Sequence, residues 1–434
     1  MNSALITTFK QRLKQILWSA YLVMQPWVRI AMLTVATIWR RLMVRTTFIV
    51  VTGSVGKTTA KEAIATVLSA HFPTHKSHGS QNHYDGLFKT LLRLRPWHRY
   101  AVIEIGLDGP NQMKWLAWAA RPDIAVWINV ARTHTRSFKT LENTAREKSQ
   151  LIRSLRPGGL AILNIDNPYI AEFIPPASVR SITYGQTEGA DWRVSEAASV
   201  WPERLSFRVH SNGEEARVET QLVGKHWLPS LLPALIVARE AGLSIKQSSV
   251  ALATLPPFEL RISPATSPQG ATFLRDEWNG SVDTLHAAFE VMREAKASRR
   301  MIVFSDVSDS KQTLRKRHRD IGMQAAQSAD AAVFIGDSHA HAVRGAIEAG
   351  MSPDQVWGFY NFEDAAHHLR SEIRAGDLIL LRGLHTEHLS RLYLTMFREV
   401  TCWRTICLKK ISCDICPQLS APQKSDHPLV QLTP

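Results

Sequence analysis

Thr52-Gly53-Ser54-Val55-Gly56-Lys57-Thr58-Thr59 has the residue types of a phosphate cradle. Glycines let the backbone close on phosphate oxygens, and amides at a helix N-terminus point at the same anion. In such a loop Lys57 reaches the β- and γ-phosphates and the Thr58 hydroxyl ligates Mg2+. The common pattern opens with a glycine where this chain has Val51, so this is a short form. The competing reading is a tight turn with a solvated lysine. An apolar strand pattern before the loop and a helical pattern after it weigh against that.

Three more residues fall where such a loop needs them. Glu104 ends the otherwise apolar run from Tyr100, where a charge is costly unless it has a function. His134 follows the next apolar run, Ile124–Val130. Ligands of open α/β sheets bind beyond the carboxyl ends of strands, which places both residues at the edge that carries the loop. A hard oxygen ligand beside Thr58 suits Mg2+. Lys148 lies in the helical stretch Leu141–Leu155. Taken singly, His134 could be a surface-loop histidine and Lys148 a solvated helix lysine.

The elements that must position these groups alternate along the chain. Strands are expected at Phe48–Thr52, Tyr100–Ile105, Ile124–Val130 and Gly159–Asn164, with helices at Lys57–Ala70, Asn111–Ala120 and Leu141–Leu155 between them. That alternation argues for an α/β fold with a parallel sheet covered on both faces. Asp191–Val223 has the alternation of an antiparallel insert, and Trp227–Ala241 is helical. A second α/β unit follows Ser263, with strands at Met301–Phe304, Ala331–Ile335 and Leu378–Leu381. Pro256–Arg261 is the expected hinge, and no internal repeat is visible.

The 434 residues, 45% hydrophobic and 21% charged, suffice for two or three domains with cores and exclude a disordered chain. Seven Lys and Arg residues and no Asp or Glu lie between Met1 and Thr46, half of the net charge of +14. With no nucleic-acid signature elsewhere, the excess reads as a basic, apolar leader and no nucleic-acid partner is expected. Its apolar runs, Ile16–Val28 and Ile30–Trp39, are too short to span a bilayer as one helix. It has no small-residue cleavage site of a signal peptide. The leader is either an interfacial anchor on the inner face of the cytoplasmic membrane or a pair of helices packed on the body.

All four cysteines sit late, as Cys402-x4-Cys407-x5-Cys413-x2-Cys416. Paired thiols of this kind commonly hold structural Zn2+. Buried or idle thiols, and an iron–sulfur or redox role, are the alternatives.

The loop, His78-Gly-Ser-Gln-Asn-His-Tyr-Asp-Gly86, Tyr100–Gly106, Asn129-Val-Ala-Arg-Thr-His134, Phe138, Glu147-Lys148 and Asn164-Ile-Asp-Asn167 together resemble the Mur ligases in order and spacing. The resemblance runs from about Phe48 to about Leu392. It implies a P-loop-type central domain and a C-terminal Rossmann-like α/β domain, and an ATP- and Mg2+-dependent carboxylate–amine ligase working in the cytoplasm through an acyl phosphate. By the same resemblance, loop residues Gly53 to Thr59 hold ATP, with Glu104 and His134 on one Mg2+ and Thr58 on the ATP-bound one. Lys148 matches a lysine that several members carry as a carbamate. Arg261 matches an arginine that contacts phosphates on closure. Arg275-Asp-Glu-Trp-Asn-Gly-Ser-Val-Asp283 resembles a nucleotide-side segment, with Asp276 in contact and Asn279 in support. Lys57, His134 and Lys148 are then the expected catalytic groups. The expected domains are 1–46, 47–258, 259–400 and the cysteine tail 401–434.

The chain departs from the family at three places. The adenine-side pattern G-x-H-N-x-x-N is Gly224-Lys-His-Trp-Leu-Pro-Ser230 here, without either asparagine. The substrate-side K-G-S-R is Arg382-Gly-Leu-His385. About 47 residues precede the first strand, too few for the family's uridine-nucleotide domain, so a non-UDP envelope carboxylate is expected. A membrane-tethered poly-amino-acid synthetase, or a nucleotide-binding scaffold with impaired catalysis, would also account for these departures.

Overall fold

The structure is a computed structural model that describes residues 31–107, 109–132, 138–278, 280–308, 310, 312–409 and 411–420. His134, Asn279, the leader before Ala31 and the last part of the tail lie outside the described residues. The chain forms two compact units. One runs to Arg193 and adds Ser211–Gly213 and Pro229–Ala251; the other holds Val194–His210, Glu214–Leu228 and the chain from Leu252.

The first unit is built on β1 (Thr47–Thr52), β2 (Thr74–Lys76), β3 (Tyr100–Glu104), β4 (Ile124–Trp127), β5 (Leu160–Asn164), β6 (Arg180–Gly185) and the start of β7 (Trp192–Ala198). They lie in the order β2-β3-β1-β4-β5-β6-β7. Neighbours are parallel throughout. Phe48, Ile49, Val50 and Val51 are fully buried, which is why the strand is continuously apolar. Each such side chain contributes on the order of 1.5–3 kcal/mol by burial. Register sets Val51 beside Glu104 and Thr52 beside Trp127, so the strand ends that carry chemistry are level.

The stretch from Asp191 joins the sheet in parallel, through Tyr184 and Trp192. A hairpin turn does follow. Asn212 and Gly213, both at positive φ (49° and 79°), join β8 (Ser206–Ser211) to β9 (Glu214–Glu219) with the twist a two-residue hairpin requires. The described part of the leader, helical over 31–42, packs on the first unit. Arg40 lies 3.3 Å over the Phe48 ring and donates to the carbonyls of Ala120 (2.7 Å) and Arg121 (2.6 Å). Burial lowers its pKa to about 10 even though Asp123 is 3.5 Å away. Among the described residues no helix is long and apolar enough to cross a membrane.

The second unit carries β10 (Ser263–Thr266), β11 (Thr272–Asp276), β12 (Arg299–Phe304), β13 (Ala331–Ile335), β14 (Val356–Phe359) and β15 (Asp377–Arg382), in the order β10-β11-β15-β12-β13-β14. Only the β10–β11 pair is antiparallel. Helices Leu314–Ala326 and His339–Glu348 cross closely. A Cβ on Gly322 would stand 1.9 Å from the Ala342 carbonyl oxygen, so only glycine fits there.

Candidate functional site

In the first unit the phosphate loop leaves β1 at Gly53 and enters the helix Lys57–Ser69 through Gly56, which has φ 78°. A side chain at Gly56 would be strained by that φ, and its Cβ would meet the Ser230 Oγ at 2.3 Å. Ser230 stands where the family pattern has its second asparagine, so the altered helix still abuts the loop. Asn129, just past β4, fixes the other side. Its Oδ1 accepts from the amides of Ser54 (2.8 Å) and Val55 (3.0 Å), and its Nδ2 donates to the Val55 carbonyl (3.1 Å). The Ala131 amide donates to the Ser54 hydroxyl at 2.9 Å. Thr58 and Thr59 are buried at the helix start, and the Thr59 hydroxyl has no hydrogen-bond partner.

Two ammonium-bearing side chains meet at this loop. Lys57 Nζ donates to the carbonyls of Gly53 and Ser54, each at 3.0 Å. Lys148 Nζ, from the helix Leu141–Arg153, donates to the same Gly53 carbonyl at 2.8 Å. Lys148 is 4% exposed. Burial first, and the charge of Lys57 second, push its pKa well below the ordinary lysine range, while Glu147 opposes the shift. The adjacent Glu147 caps a neighbouring helix instead. Its Oε1 accepts from the amides of Gln112 (2.8 Å) and Met113 (2.9 Å) at the start of the helix Met113–Ala120.

Glu104 ends β3 at 1% exposure. Asn82 Nδ2 donates to its Oε1 at 2.7 Å, and its own amide donates to the Ser77 hydroxyl at 3.1 Å. Its Oε2 is buried with no hydrogen-bond partner. An unpartnered carboxylate oxygen in a dry setting is costly unless a cation meets it. That orphaned oxygen at the sheet edge fits a hard divalent cation such as Mg2+. Lys61, fully buried, secures the loop that brings Asn82 here by donating to the Ser77 carbonyl at 2.8 Å and to the Gly79 carbonyl at 2.5 Å.

In the second unit Arg261 and Asp276 are near enough to interact, and Asp276 is buried. Its carboxylate at the end of β11 is paired with the guanidinium of Arg382, which is fully buried at the end of β15. Arg382 also donates to the Ser281 carbonyl at 2.9 Å. Burial raises the Asp276 pKa to about 6, with Arg382 and Arg261 pulling the other way. His226, held neutral by burial and by Arg382, has a pKa of about 3. Arg382, in the altered substrate-side segment, is therefore the charge partner of Asp276.

The four cysteines are free thiols, and all four line one small cavity. Among the described residues, no three His, Cys, Asp or Glu side chains are placed so that they could hold a metal ion, so the zinc expectation is not supported by the arrangement of the four thiols.

Sequence reasoning chose the loop, Glu104 and Lys148 but passed over Asn129 and Lys61 as anchors. A buried asparagine directly after an apolar strand, and a lysine inside an otherwise apolar helix face, were the available signals.

This fold and loop define a class of protein. Residues 51–238 match the model of the Mur ligase middle domain, and residues 261–385 match the Mur ligase, glutamate ligase domain. The chain belongs to the Mur ligase family. It is 28% identical over 324 residues to the UDP-N-acetylmuramoyl-tripeptide–D-alanyl-D-alanine ligase of Escherichia coli, covering 72% of this chain and 69% of that one. To the enzyme of the same name from Mycobacterium tuberculosis it is 26% identical over 381 residues, 82% and 74% of the two chains. Its fold matches MurF from Acinetobacter baumannii with TM-score 0.77 and 24% identity, over 85% of this chain and 80% of that one. It matches MurF ligase from Thermotoga maritima, solved in complex with ADP, with TM-score 0.73 and 20% identity, over 85% and 83%.

Proposed function

We propose that the chain is an ATP-dependent ligase that joins a carboxylate to an amine, with a cell-envelope precursor supplying the carboxylate. The observation that carries this reading is the buried Glu104 with its unpartnered oxygen, at the sheet edge that also bears the phosphate loop.

A carboxylate does not react with an amine near neutrality, because hydroxide is a poor leaving group. Phosphorylation removes that obstacle: a carboxylate oxygen attacks the γ-phosphorus, ADP leaves, and an acyl phosphate results. The amine nitrogen then attacks the acyl carbon, inorganic phosphate departs, and the amine loses a proton. Loop amides and Lys57 offset the charge that gathers on the transferring phosphoryl group. Glu104, with His134 as the further expected ligand, would hold one Mg2+ and Thr58 the ATP-bound one; when bound, such ions neutralise phosphate charge.

Lys148 is suited to carbamylation. A buried amine kept neutral is nucleophilic toward CO2, and the carbamate anion would turn its repulsion with Lys57 into attraction. Arg261 and the Asp276–Arg382 pair would act on the nucleotide. A peripheral position on the cytoplasmic leaflet is supported by the exposed Val35, Ile38 and Leu42 on the leading helix, with Arg41 and Arg45 beside them.

Isotope transfer tests the reaction. With an 18O-labelled carboxylate, one labelled oxygen appears in the released phosphate if an acyl phosphate forms. Unlabelled phosphate accompanied by amide product rules that route out.

A further inference from the structure

The cysteine tail offers a site that the ligase chemistry does not use. Cys402, Cys407, Cys413 and Cys416 line a cavity of about 10 Å3, with His388, Arg391, Arg404 and Lys409 also on its wall. That is room for about one water-sized body. We propose that these four thiols close on a single soft divalent cation of the zinc class, as a structural tetrathiolate site.

Four observations support a cation there. The ligands come as two pairs, with four and two residues between partners, the spacing at which short turns offer both sulfurs to one tetrahedral ion. The second pair is already in such a turn: the Cys416 amide donates to the Cys413 carbonyl at 3.3 Å, and the Leu419 amide to the Cys416 carbonyl at 3.1 Å. Four thiolates and a dication leave two negative charges, and three cationic side chains wall the cavity. One of them, Arg391, is tied to the site through its bond to the Cys402 carbonyl at 2.9 Å. Finally, the imidazole of His388 lies 3.4 Å from the Cys413 sulfur, placed to orient a ligand thiolate from outside the ion.

The open arrangement of the sulfurs has a physical cause. A thiol with no cation beside it stays protonated, and neutral sulfurs have no reason to converge. Metal binding deprotonates such thiols and draws them together. A four-iron cluster needs far more than a water-sized space. A single ion does not.

The site would brace the nucleotide side of this unit. Asp414, inside the Cys413–Cys416 turn, receives both arms of Arg275 at 2.7 and 2.9 Å. Arg275 also grips Glu277 at 3.1 Å, and Asp276 lies between those two in the chain. A metal at the turn therefore anchors the end of β11.

Metal analysis of the full chain, purified without chelator, tests this independently of any ligase activity. The expected result is about one zinc per chain, replaceable by Co2+ with a thiolate-to-cobalt charge-transfer band. Cys413→Ser combined with Cys416→Ser removes both signals. Because that variant can lose its tail fold, the wild-type chain is also titrated with a mercurial, and one zinc should leave as four thiols are blocked. Zinc far below one per chain with four freely reacting thiols overturns the proposal. So does iron with inorganic sulfide, or a disulfide among the four.

Discussion

Lys57 and Lys148 donate to the same acceptor, the Gly53 carbonyl, at 3.0 and 2.8 Å. Two amines on one oxygen cannot both keep a full charge cheaply, and the buried one yields. In CO2-free buffer the unfolded chain binds a proton at Lys148 more readily than the folded chain does. Stability therefore rises with pH from the depressed folded value up to the ordinary lysine value. Lys148→Met is expected to raise the melting temperature, more at pH 6 than at pH 9, while lowering kcat by about 10²-fold or more. Thermal melts at the two pH values check the sign. In 13CO2 the wild-type chain should show a carbamate carbon resonance that Lys148→Arg lacks.

Glu104 presents a complementary case, a buried carboxylate with one oxygen unpaired. Glu104→Gln keeps an acceptor for Asn82 and removes the charge. The folded chain should gain about 1–3 kcal/mol in denaturant melts, since an unsatisfied charged group disappears. Activity should then need at least about tenfold more Mg2+. Unchanged Mg2+ activation would remove Glu104 from the cation site.

Asp276 and Arg382 set an acid limb. With the carboxyl pKa raised to about 6, protonation on descending through that pH breaks the pair and frees Arg382. kcat/KM for ATP should fall below about pH 6, and Asp276→Asn should flatten that limb. For stability the sign is opposite. A raised carboxyl pKa favours the folded state below the unfolded value of 3.8, a gain lost as pH rises through about 6.

The leading helix exposes Val35 (55%), Ile38 (56%) and Leu42 (61%). Spacings of three and four residues put them on one face of the helix over 31–42. Replacing all three by serine should reduce cosedimentation of the full chain with anionic phosphatidylglycerol vesicles, and added salt should weaken what binding remains. Equal partitioning of variant and parent would discard membrane association through this face.

Much of the first unit is legible in the sequence, because β1, β3, β4 and β5 are buried on both faces and so appear as uninterrupted apolar runs. The loop is legible because glycine, lysine and threonine at that spacing have few other uses. What depends on distant partners is not. Asp276 and Arg382 are 106 residues apart, and nothing local to either marks the pairing. Glu147 sits beside Lys148 in sequence yet serves a neighbouring helix start. Arg40 belongs to a run that looks made for a lipid surface, yet tertiary packing seats it against Phe48. The parallel join of β6 to β7 is equally silent, since alternation reports which face is buried and not strand direction.

Lys57→Ala tests the phosphate loop most directly. With envelope-derived carboxylates and a pool of amines, the wild-type chain should release ADP in an amine-dependent manner, and the variant should show that release reduced by at least about 10²-fold while its melting profile stays cooperative. Undiminished amine-dependent ADP release by a folded Lys57→Ala chain would contradict the assignment of residues 52–59 to the triphosphate.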